Sequence, residues 1–152
     1  MRPLALASLA VFVPALLVGC PAPGMTVAEA GAALEEVGIQ AQASQLASGS
    51  IEITTNFTIG DAASAAAKEL RTFVESQLPC AEIALEENTL TVEYGAKPGN
   101  CTYKGQTYSG VHVITISKNE AGEVIVLHTW DKLQNQLVSV TGSATVNWNL
   151  KD

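Results

Sequence analysis

The stretch VSVTGSATVNW, residues 138–148, decides the fold class of this chain. Its apolar and small residues all have even numbers, and the intervening positions are polar: Ser139, Thr141, Ser143, Thr145 and Asn147. Alternation with a period of two is typical of a strand that has one face in a core and one in water. We therefore predict a half-buried β-strand, in which Gly142 marks a bend or a close backbone approach.

The segments that precede this strand, back to Glu82, also have the composition of strands separated by turns. Apolar or β-branched runs are predicted as strands at 83–85, 90–94, 101–103, 106–108, 111–117 and 123–133. Short turns join antiparallel neighbours, so this half of the chain predicts a twisted antiparallel meander. The register of the last two strands stays open, because the run 123–133 has apolar residues of both parities.

Two amphipathic helices are predicted ahead of the meander. Thr26 and Glu29 have the spacing of a capping box that opens the first helix, and Gly49 is a suitable end. Its apolar stripe consists of Val27, Ala30, Leu34, Val37, Ala41 and, less regularly, Leu46. Residues 51–59 then alternate like a half-buried strand.

The second helix is predicted between Asp61, placed as its N-cap, and Pro79, which stops it. Arg71 and Glu75 form an i,i+4 ion pair on it. Its apolar stripe consists of Ala62, Ala66, Leu70, Phe73, Val74 and Leu78. The expected fold is α+β, with two amphipathic helices packed on a twisted antiparallel β-meander.

The N-terminal segment has a different character. Arg2 precedes 15 uncharged residues, 4–18, which are too few for a membrane span and suit the apolar region of an export signal. The segment ends in Leu17-Val18-Gly19-Cys20 and resembles the lipobox of bacterial lipoproteins. The resemblance implies cleavage of a signal peptide, residues 1–19, and acylation of Cys20 by diacylglycerol and a fatty acid. The alternative is an ordinary secretory signal with a chance cysteine.

The same resemblance implies a location. The protein would be held in the bacterial cell envelope by its N-terminal lipids, and Pro21, in place of an aspartate, favours the outer over the inner membrane. Several acyl chains anchor a protein stably. Residues 20–25 would be the lipidated tether and 26–152 a single domain, which the short tether would hold close to the membrane surface.

Lipidation of Cys20 would leave Cys80 and Cys101 as an even pair in an oxidising compartment. We therefore expect a Cys80–Cys101 disulfide, which in the chain-entropy model contributes roughly 3 kcal/mol to stability. The alternative, a reactive cysteine, would need a histidine partner, and the only histidines, His112 and His128, lie in strand-like runs. Metal ligation by these two histidines is the alternative to a structural role for them.

The charge distribution argues against nucleic acid as a partner. The formal net charge is −7, and residues 20–100 carry 11 acidic and three basic side chains. No basic patch is present. The sequence also contains no nucleophile elbow, phosphate loop, zinc-protease helix or EF-hand loop. We therefore expect no enzymatic activity, no cofactor and no metal.

Three tyrosines remain as candidates for recognition. Tyr94, Tyr103 and Tyr108 flank the disulfide loop and, if exposed together, could stack on a glycan or anchor an envelope protein. The alternative is that they are cross-strand packing pairs.

The segment from Leu90 to Trp148 resembles bacterial lipoproteins of unknown function in its order of motifs. These are Tyr94-Gly95, a cysteine, Gly105, Tyr108-Ser109-Gly110 and a strand meander, and they imply no activity. The expected function is a membrane-anchored, non-enzymatic module that binds or scaffolds another envelope component through its sheet. The alternative is a carrier of a small apolar ligand, held in a cavity between helices and sheet.

Overall fold

The structure, a computed structural model, describes residues 24–58 and 62–148. It confirms the predicted fold, since two helices pack on a five-stranded antiparallel sheet. The helices and strands are α1 (Val27–Ile53), α2 (Ala63–Gln77), β1 (Glu82–Glu86), β2 (Thr89–Tyr94), β3 (Thr102–Tyr103), β4 (Gln106–Thr107), β5 (Ser109–Lys118), β6 (Val124–Gln134) and β7 (Ser139–Trp148).

The large sheet has the order β1-β2-β5-β6-β7, so each strand pairs with the next one along the chain except where the short β3–β4 hairpin is inserted. Both helices lie on one face of this sheet. The residues buried on that face of the strands are at alternate positions, for example Val92, Ile114 and Val126, as a half-buried meander requires. Leu70 and Val74 of α2 and Leu46 and Ile53 of α1 complete the core.

The first helix is longer than predicted. It continues through Gly49 to Ile53, and residues 54–58 form a turn and irregular chain, so the strand expected at 51–59 is wrong for all of its described residues; Ile59 lies outside them. The reason is packing: Leu46, Ser50 and Ile53 have helical spacing and are fully buried against the sheet. The Thr54 hydroxyl donates to the Ser50 carbonyl at 2.7 Å and satisfies the helix end.

Of the predicted apolar stripe of α1, only Leu46 enters the core. Val27, Leu34 and Val37 are 92%, 74% and 61% exposed, and the buried residues of α1 all lie in its last eight positions. At 1.5 Å per residue, the part before Leu46 extends about 28 Å. The part of α1 before Leu46 therefore lies outside the packed core of the domain. The capping box is confirmed, with the Glu29 N–H donating to the Thr26 hydroxyl at 3.2 Å.

The second helix matches its prediction closely. Its buried residues include Ala66, Leu70 and Val74, and the Arg71–Glu75 ion pair forms at 2.8 Å. The N-cap position is Ala62, which makes no capping bond through its side chain, and Asp61 lies outside the described residues.

A bulge in β6 sets the register that the sequence left open. Between Trp130 and Leu133 the pairing with β7 shifts, which lets both of these residues face the core although their parities differ. Gly142 pairs with Trp130 at this irregularity, consistent with the predicted bend. On the other side of β6, a Cβ atom at Gly110 would overlap the Lys132 carbonyl, and Gly110 has a φ of 95°. Among the described helices, none is long and apolar enough to cross a membrane.

Candidate functional site: a buried histidine pair and an open sheet face

The two histidines of the chain lie side by side in the core. His112 on β5 and His128 on β6 are both 0% exposed, and His112 Nε2 is 3.1 Å from His128 Nδ1. The Tyr94 hydroxyl lies 3.4 Å from His112 Nδ1, and the Thr54 hydroxyl lies 3.4 Å from His128 Nδ1. The pair therefore joins β2, β5, β6 and the end of α1.

One proton arrangement satisfies this network best. The Thr54 hydroxyl gives its hydrogen to the Ser50 carbonyl, so its oxygen can only accept, and His128 Nδ1 carries the hydrogen that faces Thr54 and His112 Nε2. His112 Nδ1–H then donates to the Tyr94 hydroxyl oxygen. His128 Nε2 is a buried acceptor in this arrangement, and it has no hydrogen-bond partner among the described residues. Both rings are neutral in this arrangement.

Burial keeps the pair neutral. It lowers the pKa of His128 to about 4, and burial, together with the neighbouring His128, lowers the pKa of His112 well below its ordinary value. Burial also raises the pKa of Tyr94. At the surface of α1, Glu52 bonds to Lys104, and this bond raises the pKa of Lys104. Beside the pair, Trp130 donates to the Ser50 hydroxyl at 3.0 Å.

This geometry favours the structural role predicted for the histidines. A substrate cannot reach side chains that are fully buried, so neither ring is placed to act as a base. The described residues also contain no group of three or more metal-binding side chains. The proximity of the two rings was not predicted, because it depends on the β5–β6 register, in which His112 pairs with Trp130 and His128 with Ile114.

Two of the three candidate tyrosines are core residues. Tyr94 and Tyr108 are 3% and 1% exposed, and their ring centroids are 5.5 Å apart. The structure therefore places them as a packing pair, and only the half-buried Tyr103 reaches the surface. The expected Cys80–Cys101 disulfide is present, with a Cα–Cα distance of 5.4 Å, and it links the end of α2 to the start of the β3–β4 hairpin.

A polar cleft lies where this hairpin meets α1. Lys104 of the hairpin pairs with Glu52 of α1 and lies 5.7 Å from the centroid of the Tyr103 ring. Gly49 leaves room for the Tyr108 hydroxyl, and burial raises the Tyr108 pKa to about 12. The cleft measures about 250 Å3 and opens to solvent; it is lined by Gln45, Ser48, Gly49, Glu52, Tyr103, Lys104, Gln106 and Tyr108.

The other accessible feature is the sheet surface opposite the helices, here called the open face. Its centre is formed by two rows of side chains that run across the strands. One row is Thr91, Val113, Thr129 and Ser143, and the other is Thr89, Thr115, Leu127 and Thr145. Apart from Val113 and Leu127, all of these side chains carry a hydroxyl group. Leu127 is 42% exposed. The Thr89 and Thr115 hydroxyls are 3.1 Å apart. At one end the face is acidic, with Glu82, Glu93 and Asp131 in neighbouring strands.

Cys20, the predicted lipidation site, lies outside the described residues. Comparisons of the chain with protein-family models, with curated proteins and with solved structures found no match. A function is therefore inferred from the fold, the cleft and the open face alone.

Proposed function

We propose that this protein is a lipid-anchored, non-enzymatic envelope module that binds another envelope protein through the open face of its sheet. The observation that carries the proposal is the open face itself, a broad surface of hydroxyl and aliphatic side chains on a rigid sheet. Cys20 would supply the anchor, and α1 would connect the anchor to the sheet.

The composition of the open face favours a protein over a glycan. The aliphatic groups of Val113 and Leu127 lie at its centre, with Ile125 in the next row, where a protein partner could cover them. The acidic end at Glu82, Glu93 and Asp131 would suit a partner that carries a basic group. An aromatic platform for sugar rings is not among the described residues of this face, because Tyr94 and Tyr108 are buried on the opposite side.

The alternative of an apolar-ligand carrier receives no support from the interface between helices and sheet. The residues there form a continuous buried cluster that includes Leu46, Ile53, Leu70 and Ile116. The clefts around the β3–β4 hairpin, of about 250 to 430 Å3, are open at the surface and lined largely by polar residues.

Site-specific photocrosslinking in intact cells tests the proposal. A photoreactive residue at Thr129, at the centre of the open face, should capture one specific protein, identified by mass spectrometry. The same residue at Gln77, exposed on α2, should not capture it. Capture of the same protein at both positions, or of none at Thr129, would contradict the proposal.

Two exposed leucines give a matched pair of variants for the same experiment. Leu127→Asp, on the open face, should abolish capture at Thr129. Leu137→Asp should leave capture intact, because Leu137 is 72% exposed in the β6–β7 turn and lies away from the open face. Both changes affect exposed side chains, so both variants should fold.

A further inference from the structure

The N-terminal part of α1 carries an apolar stripe that its own domain leaves exposed. Val27, Leu34 and Val37 are the large residues of this stripe, which the small residues Ala30 and Ala41 complete. The spacing of the five positions is 3, 4, 3 and 4 residues, which is the seam of a coiled coil rather than the wider face of a core helix.

The direction of the stripe excludes its own domain as the partner. At 100° per residue, its centre lies roughly 150° around the helix from the face formed by Leu46, Ser50 and Ile53, which packs on the sheet. Because one straight helix cannot turn both faces towards the same sheet, the stripe faces away from the domain. The two opposed faces also explain why the stripe was expected, wrongly, to be part of the core.

The charges exclude an anionic membrane as the occupant. From Gly24 to Thr58 the chain carries Glu29, Glu35, Glu36 and Glu52 and no lysine or arginine. A helix that lies on an anionic bilayer needs basic residues on its polar face, and four glutamates would be repelled instead.

A second copy of α1 meets no such conflict. In a parallel pair, the positions that flank the seam would be Gly31, Ala33, Gln40 and Gly38, which are uncharged, while Glu35 and Glu36 lie on the outer side. A Cβ atom built at Gly31 or Gly38 meets nothing within 4 Å, so a neighbouring backbone has room to approach. Two copies anchored at Cys20 in one membrane would also be parallel and in register.

We propose that the stripe of α1 is a self-association surface, through which two anchored copies pair as a parallel coiled coil. The inference rests on the proposed anchor, because five side chains per copy, two of them alanine, fall short of the roughly 1,000 Å2 that a stable interface buries. Tethering raises the effective concentration enough for such a short seam. Pairing therefore depends on attachment to a membrane and is weak for the detached domain.

Cysteine crosslinking in native membranes tests this inference. The described part of the chain has Cys80 and Cys101 only as a disulfide, so an introduced thiol reacts without competition from them. With a mild oxidant, Leu34→Cys and Val37→Cys should give a covalent homodimer. Ile39→Cys is the matched control, since Ile39 is 52% exposed on the opposite side of the same helix, and it should crosslink severalfold less.

A further variant and a further sample distinguish a failure of self-association from a failure of the proposed anchor. Leu34→Glu should abolish the crosslink at Val37→Cys without affecting the fold, because Leu34 is 74% exposed. Equal crosslinking at Val37 and Ile39, no crosslinking, or a product with another protein overturns the inference. If mass spectrometry finds Cys20 without acyl chains, the proposed anchor has failed. Self-association is then tested by the same cysteine crosslinking on vesicles, with the chain attached through an N-terminal histidine tag to nickel-chelating lipids.

Discussion

His112 and His128 show how a single pair of residues couples the core to pH. Their neutral rings are held in a buried chain of contacts from Tyr94 to Thr54, and His128 Nε2 has no described partner that could stabilise a charge. The unfolded chain can protonate both rings near their ordinary pKa of 6.5, whereas the folded chain cannot. The unfolded state therefore binds more protons in mildly acid solution.

We predict that stability is full above pH 6.5 and falls as the pH falls from 6.5 towards 4. Each histidine contributes a loss of about 1.4 kcal/mol by pH 5.5, so the free energy of unfolding falls by about 3 kcal/mol in total. Denaturant unfolding at pH 7.5, 6.5 and 5.5 measures this change. The chain has two histidines only, which makes the assignment direct. An unchanged free energy of unfolding between pH 7.5 and 5.5 would show that the rings are not buried and neutral.

Gly110 gives a second prediction at the scale of one residue. Gly110→Ala should cost more than about 3 kcal/mol, because its Cβ would overlap the Lys132 carbonyl at the β6 bulge. Gly122→Ala is the control, since Gly122 also has a positive φ but has open space around it, and it should cost about 1–2 kcal/mol. Thermal unfolding of both variants gives the comparison, and equal losses would argue against the bulge.

At the scale of elements, α1 is divided into a packed end and a free part. The last eight residues hold every buried side chain of the helix, and none of the first nineteen is buried. Isolated helical segments of this length are marginal in water, and Gly31 and Gly38 weaken this one further.

Hydrogen exchange measured on a soluble Cys20→Ser form, which lacks the anchor, should reveal this division. The amides of residues 31–42 should exchange rapidly, while those of residues 46–53 should be protected nearly as well as the central strands. Uniform protection along α1 would mean that its first part packs against the domain, contrary to the structure.

The elements also mark how far sequence reasoning reaches. The strand at 138–148 and the helix ending before Pro79 were predictable, because each has one period and one partner surface. The helical state of 51–53 was not, since Ile51 and Ile53 alternate as in a strand, whereas Ile53 has helical spacing with Leu46 and the polar Ser50. Only packing of Leu46, Ser50 and Ile53 on the sheet selects the helix. The histidine pair was hidden for a related reason, because the register of β5 and β6 does not follow from composition.

At the scale of the whole molecule, the proposed anchor at Cys20 would be followed along the chain by the free part of α1 and then by a sheet whose open face points away from both helices. This order along the chain would place the sheet some distance from the membrane, with the stripe of α1 between them. The seam and the open face would then be two separate surfaces, one for a second copy and one for a partner protein.

The anchor is the central claim, because the location, the orientation of α1 and the effective concentration all depend on it. The most direct test is the intact mass of the protein extracted from membranes of cells that express the whole chain. We predict a chain that begins at Cys20 and carries a diacylglycerol group together with an amide-linked acyl chain. A mass corresponding to an unmodified Cys20, or to cleavage at another residue, would contradict the account.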